Sequence, residues 1–194
     1  MPYSIHMPTF AVRIEMLTET KFSLRQFNTT DVESVIEINR TCLPENYASF
    51  FFIDTFRSCP NAFIVAEVGT RIVGYIMCRI EHGFSDIKRI KFIRKGHIIS
   101  VAVLPDFRRA GIASDLVRNA LEALRQVGAD ECFLEVRSTN DSAIRLYEKL
   151  GFTLARRVAH YYADGAEAQA MVIPLTKGDY SSSENTESQA EHPV

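Results

Sequence analysis

The chain has 194 residues, 46% of them hydrophobic and 24% charged, with a formal net charge of −2. That is enough apolar material for one packed domain and too little positive charge for wholesale nucleic-acid binding. No apolar run is long enough to span a bilayer and no charged region followed by an apolar stretch opens the chain, so the sequence reads as a cytoplasmic protein with no membrane insertion. Cys42, Cys59, Cys78 and Cys132 form no C-x-x-C pair; zinc-knuckle and thioredoxin-type motifs are absent, and the thiols read as small hydrophobes in a reducing compartment.

Residues 1–20 carry two prolines and three methionines without a period and read as an N-terminal extension. A domain over 21–176 follows, opening on a strand. "TTDVESVIEINR" then offers Thr30 as an N-cap with Glu33 three residues on and Val32, Val35 and Ile36 at helical spacing, a capping box. A second helix is expected with Glu45, which follows Pro44, at its start, and there the acid would suit the helix dipole. "NAFIVAEVGTRIVGYIMCRIE" is two β-rich runs joined around Gly69-Thr70, a hairpin signal. "FSDIKRIKFIRK", 84–95, concentrates Lys88, Arg89, Lys91, Arg94 and Lys95, and reads either as a solvated loop or as a contact for ribosomal RNA or an acidic peptide.

"GHIISVAVL" is β-branched and apolar, as a strand covered on both faces requires, and Pro105 ends it. "SDLVRNALEALRQV" places Leu116, Val117, Ala120, Leu121, Leu124 and Val127 on one helical stripe, with Gly128 just past its end. "ECFLEVR" is a further strand, Asn140 to Leu150 a short helix, and Phe152 to Ala159 and Ala168 to Leu175 closing strands. Beyond residue 176, "KGDYSSSENTESQAEHPV" has too little apolar content to offset its ordering entropy, and 177–194 reads as a disordered tail. The order β-α-α-β-β-β-α-β-α-β-β implies an α/β layered fold around a sheet of mixed strand direction.

The turn between the central strand and the long helix reads Arg108-Arg109-Ala110-Gly111-Ile112-Ala113-Ser114. The first N–H groups of a helix have no acceptor inside it, so an anion is expected there, with the helix dipole and two arginines adding to the attraction. Gly111 and Ala113 let phosphate approach the backbone. Alone, the pattern reads equally as helix-entry punctuation.

It does not stand alone. "NDSAIRLYEKLGF", 140–152, follows twenty-seven residues beyond Ala113. The pair of segments resembles the two core motifs of the GNAT superfamily of N-acetyltransferases, R/Q-x-x-G-x-G/A and N-x-x-A-x-x-x-Y-x-x-x-G-F, at Arg108, Gly111, Ala113 and at Asn140, Ala143, Tyr147, Gly151, Phe152. Ala113 stands where many members have glycine, a substitution the family tolerates. The resemblance implies a mostly antiparallel sheet of about seven strands flanked by about four helices. It also implies acetyl-CoA as co-substrate, its pyrophosphate on the Arg108–Ser114 turn, its pantetheine arm along Val101, Ala102 and Val103, and its sulfur near Tyr147. "LPENY", "RKGHIISVAV", "LEVR" and "YYADG" further resemble the protein N-terminal acetyltransferases of the archaeal, NatA catalytic subunit and RimI type, from about Phe22 to Leu175.

Acetyl transfer needs a neutral amine, and an α-amine, which ordinarily titrates near pH 8 against about 10.4 for lysine, needs only modest help from a base. The resemblance places Glu45 and His97 beside the peptide entrance, although His97 also fits a hydrogen-bonded core histidine. Glu135 shares a strand face with Phe133 and Arg137 and is either a paired surface acid or, if its strand neighbours that of His97, a partner for His97; the two could also capture a stray metal ion, which the reaction does not require. Tyr147 fits a core stripe as well as a place beside the CoA sulfur. Leu43, Pro44, Tyr47, Arg137, Tyr161 and Tyr162 are expected to border the peptide.

The resulting expectation is a protein N-α-acetyltransferase acting by direct transfer in a ternary complex on protein N-termini, with no auxiliary subunit evident. Acetylation of lysine or a small amine, and a non-catalytic acyl-CoA-binding module, are the alternatives.

Overall fold

The structure, a computed structural model, describes residues 21–175. The expectations for 1–20 and 177–194 therefore lie outside the described residues. A seven-stranded sheet runs through the domain in the order β1 (Ser23–Gln26), β2 (Phe63–Val68), β3 (Arg71–Phe84), β4 (Phe92–Val103), β5 (Glu131–Arg137), β7 (Ala168–Pro174) and β6 (Thr153–Val158). Every neighbouring pair is antiparallel except β4 and β5. Four α-helices complete it among the described residues: α1 (Val32–Cys42), α2 (Ser49–Ser58), α3 (Ile112–Gln126) and α4 (Asp141–Lys149).

The two faces of the sheet hold separate cores. On one, α1 and α2 cover Phe63, Val65, Tyr75 and Met77. On the other, α3 and α4 cover Ile76, Cys78, Ile98, Cys132 and Leu134. The α3 stripe is buried as its period requires, with Leu116, Val117, Ala120 and Leu124 fully enclosed, each large side chain contributing about 1.5–3 kcal/mol. Gly69 takes φ +62° in the two-residue β2–β3 turn and Gly128 takes φ +78° after α3, conformations that a side chain disfavours. Cys59, Cys78 and Cys132 are buried, and burial raises all three thiols above the usual range. Cys42 is half-buried, its Sγ 3.5 Å from the Val103 carbonyl oxygen.

Three expectations change. The capping box is built on Asn28, not Thr30, and it caps a 3₁₀ turn (Thr29–Asp31) that leads into α1: Asn28 Oδ1 accepts from the Thr30 N–H at 3.1 Å and Asp31 Oδ2 from the Asn28 N–H at 2.7 Å. Asp31 is fixed in that role because Arg25 grips both its oxygens at 2.6 and 3.0 Å, so a 3₁₀ turn precedes α1. Glu45 lies in the 43–48 connection, since α2 begins only at Ser49, and thus outside any first helical turn. The basic segment is loop only in its middle: β3 continues to Phe84 and β4 starts at Phe92, so 85–91 form the turn and 92–95, with Arg94 and Lys95, are strand. Ile93 is buried, and Lys95 lays its ammonium 4.3 Å from the Phe133 ring centre and pairs with Asp86. A long aliphatic stem that packs on an aromatic ring looks, in sequence, like a solvated charge.

Candidate functional site

The site begins where the sheet fails to close. β4 and β5 pair only over Lys95–His97 against Glu131–Phe133, whereas β3 follows β4 to Val103. Beyond His97 the two parallel strands separate, and backbone groups on that edge of β4 have no strand to bond. A register shift at Met77/Cys78, opposite Ile98–Ser100, bends β4 at the same level. A cavity of about 740 Å³ occupies the gap.

One end of the cavity has the features of an anion site. Val101, Ala102, Val103, Arg108, Ala113, Asn140 and Tyr147 line it. The N-terminus of α3 has no side-chain cap, and its cap residue Gly111 takes φ +83° with nothing within 4 Å of where a Cβ would stand. The open space and the unclaimed N–H groups fit a pyrophosphate. Asn140 is spoken for as the cap of α4, accepting from the Ala143 N–H at 3.3 Å. Arg108 braces the turn, its Nε donating to the Val103 carbonyl at 3.0 Å. Arg109, Ala110, Gly111, Ile112 and Ser114 lie outside the cavity lining; Ile112 as a whole is 1% exposed and belongs to the core under α3. Tyr147 is buried, edge-on to Phe152 at 5.7 Å, and burial raises its hydroxyl far above the usual range, so it stays protonated.

At the other end stand Leu43, Pro44 and Tyr47 from the α1–α2 connection and Tyr161 and Tyr162 from the β6–β7 connection. Phe51, which the sequence did not mark, stacks on Tyr47 at 4.7 Å. The two connections are tied together by Arg137: its Nη2 donates to Glu45 at 2.6 Å, its Nη1 to Asp164 at 2.7 Å, and its guanidinium lies 4.0 Å from the centre of the Tyr162 ring. Arg137 thus pairs with Glu45 and Asp164, not with Glu135, and it bridges the two connections at that end of the groove. Its Nε is buried without a partner.

Between the ends sits His97. Its Nε2 is 2.9 Å from Glu135 Oε2, its Nδ1 is 2.8 Å from Glu81 Oε1, and its ring stacks on Phe133 at 4.2 Å. The meeting of His97 with Glu135 follows from strand phase and parallel pairing; the ring is 12% exposed and hydrogen-bonded at both nitrogens, as a core histidine would be, and it also lines the cavity. Among the described residues no cluster of three or more His, Cys, Asp or Glu side chains is arranged for a metal. Arg79 and Glu81 carry no mark in the sequence. Arg79 Nε donates to Glu81 at 2.6 Å, and only the β3–β4 register, with Arg79 opposite His97, brings them to the site. Burial, then the charge of Glu135, push the Tyr161 hydroxyl up to about 12.

A family model described as the acetyltransferase (GNAT) family matches residues 32–152. The chain is 46% identical over 157 residues to the N-alpha-acetyltransferase of Sulfurisphaera tokodaii, covering 80% of this chain and 94% of that one. Its fold is similar to the crystal structure of Ard1 from Thermoplasma volcanium, with a TM-score of 0.70 and 32% identity over 80% of this chain and 99% of that one. It is similar also to Chaetomium thermophilum Naa20 in complex with a bisubstrate analogue, with a TM-score of 0.69 and 30% identity over 78% and 86% of the two chains.

Proposed function

The chain belongs to the acetyltransferase (GNAT) family and transfers an acetyl group from acetyl-CoA to protein N-terminal α-amines, and we propose that His97 and Glu135 together take the proton from that amine while Tyr147 faces the departing sulfur. The observation that carries this assignment is one cavity that reaches the uncapped N-terminal turn of α3 at Arg108 and Ala113, contains a bonded His–Glu pair and ends in an aromatic groove bridged by Arg137.

Acetyl-CoA supplies a thioester, already activated toward an amine. The chain's residues do the rest. The free edge of β4 at Val101–Val103 offers backbone partners to an extended ligand arm, and the Gly111–Ala113 backbone, helped by Arg108, holds its phosphates. Leu43, Pro44, Tyr47, Tyr161 and Tyr162 receive the first residues of a peptide and exclude water. His97 Nε2 accepts the amine proton, directly or through one water, and Glu135 stabilises the charge that forms. Glu45, held by Arg137, shapes the groove more than it acts as a free base. The protonated Tyr147 hydroxyl serves the leaving thiolate. The bridge that Arg137 makes between the two connections favours a chain terminus over an internal lysine, whose flanking backbone must exit both ways.

The partners we propose are protein N-termini. Among the described residues no helix is long and apolar enough to cross a membrane. A ribosome contact through 84–95 draws no support, since Lys95 and Lys91 are engaged with Asp86 and Asp130. The test is acetyl transfer to short peptides offered with a free N-terminus, or with a blocked one and a free internal lysine. Activity that vanishes on blocking, and falls at least about a hundredfold in His97→Gln, is the expected result; activity that survives blocking overturns it.

A further inference from the structure

His97 is held from both sides, and only one side is accounted for by the reaction. Glu135 reaches Nε2 from β5, while Glu81 reaches Nδ1 from β3. Glu81 is itself gripped by Arg79, whose Nε donates to the same Oε1 atom that faces His97. We propose that Glu81 is a positioning residue: it accepts the Nδ1–H of His97 and so fixes the tautomer that leaves Nε2 toward Glu135 and the amine. The proposal rests on His97 acting as the base.

The argument is a proton count. A neutral imidazole has one N–H, so with both contacts made as hydrogen bonds the three groups carry one proton more than a neutral ring between two carboxylates. That extra proton is the one the cluster releases before it can accept another. It leaves from the end whose acceptor is less strongly held. Glu81 is the firmly ionised end: burial alone would raise its carboxyl, but hydrogen bonds from His97 and Arg79 outweigh burial and lower it. Glu135, beside Tyr161 and 10% exposed, is bonded to His97 with no arginine behind it and faces the cavity. Proton traffic therefore runs through Nε2 while Nδ1–H stays on Glu81, the role that a carboxylate behind a histidine commonly plays. The charged and titratable groups around the ring are Arg79 and Glu81 from β3, Lys95 from β4 on the Phe133 ring, Glu135 from β5, and Tyr47 and Tyr161 from the two connections.

Three variants test this, each read as the pH profile of kcat/KM for a peptide with a free N-terminus. Glu81→Gln keeps an acceptor and removes the charge, so the acid limb should move about one unit to lower pH with the alkaline plateau near wild type. Glu81→Ala removes the acceptor and should lower the plateau by about tenfold or more, with KM for acetyl-CoA unchanged in both. Arg79→Gln strips the cation from Glu81 and should move the acid limb the other way. Histidine ¹⁵N spectra, with the His97 signal assigned through His97→Gln, should show Nδ1–H in the wild type and a mixture in Glu81→Ala. An unmoved limb in Glu81→Gln together with a full plateau in Glu81→Ala overturns the proposal while the base assignment stands. Full turnover in His97→Gln overturns both.

Discussion

Gly96 is the residue on which the spacing of β4 and α3 depends, and replacing it with alanine should show this. A Cβ there would stand 2.6 Å from Leu124 Cδ1, 2.9 Å from Cδ2 and 3.1 Å from Cγ, whereas carbon atoms rest at about 3.5–4.0 Å. Leu124 is fully enclosed and has nowhere to turn, so the helix must move by about 1 Å or the side chain must leave its rotamer. Overpacking of this kind costs about 1–3 kcal/mol. Leu124→Ala alone should cost about 2–5 kcal/mol through the cavity it leaves. The double variant refills part of that cavity with the new methyl, so its loss should fall short of the sum by about 0.5–3 kcal/mol. Urea titrations of the four proteins at constant m-value give the cycle. KM for acetyl-CoA should rise in Gly96→Ala, because α3 carries the N–H groups of Gly111–Ala113 with it. Simple additivity of the two substitutions, or a neutral Gly96→Ala, would refute the packing argument.

Tyr75→Phe should destabilise by about 1–3 kcal/mol in the same titration, because the buried Tyr75 hydroxyl joins Asn39 Nδ2 at 3.0 Å to Ser100 Oγ at 2.8 Å and both would lose it. Arg137→Gln should release Glu45 and Asp164, raise KM for peptides and let some internal-lysine peptides with blocked N-termini react, which mass spectrometry of the products would show. Tyr147→Phe should lower kcat by about tenfold or more with acetyl-CoA affinity, measured by calorimetry, nearly unchanged. Asp31 is held below the usual carboxylate range chiefly by its hydrogen bond from Arg25. Its stabilising effect is thus complete above the unfolded value of about 3.9 and is lost as pH falls through the lower folded value, so acid titrations of the wild type and Asp31→Asn should converge at the lowest pH.

What could be read in the sequence was whatever repeats or sits close in the chain. The α3 stripe, the Gly69-Thr70 turn and the strand–turn–helix around Gly111 each announce themselves within about fifteen residues, and the structure keeps them. The contact of His97 with Glu135 could be foreseen because strand phase fixes which side chains share a face. Glu81 could not be foreseen, since its meeting with His97 depends on a hairpin register displaced by an irregularity at Met77/Cys78. The union of Glu45 and Arg137 spans 92 positions and joins a loop to a strand, and no local signal encodes it. Thr30 is not the cap because the acid that completes the box is Asp31, three residues after Asn28, and Arg25 at the end of β1 holds it.

The distribution of the thiols gives the molecule a native reporter. Cys59, Cys78 and Cys132 are shut away from solvent and held in the thiol form by burial, while Cys42 borders the cavity beside Val103. An alkylating probe applied to the folded protein should therefore mark a single position, with no engineered label needed. The rate at which acetyl-CoA slows that marking would give a footprint of cofactor loading, separable from turnover and usable on every variant above.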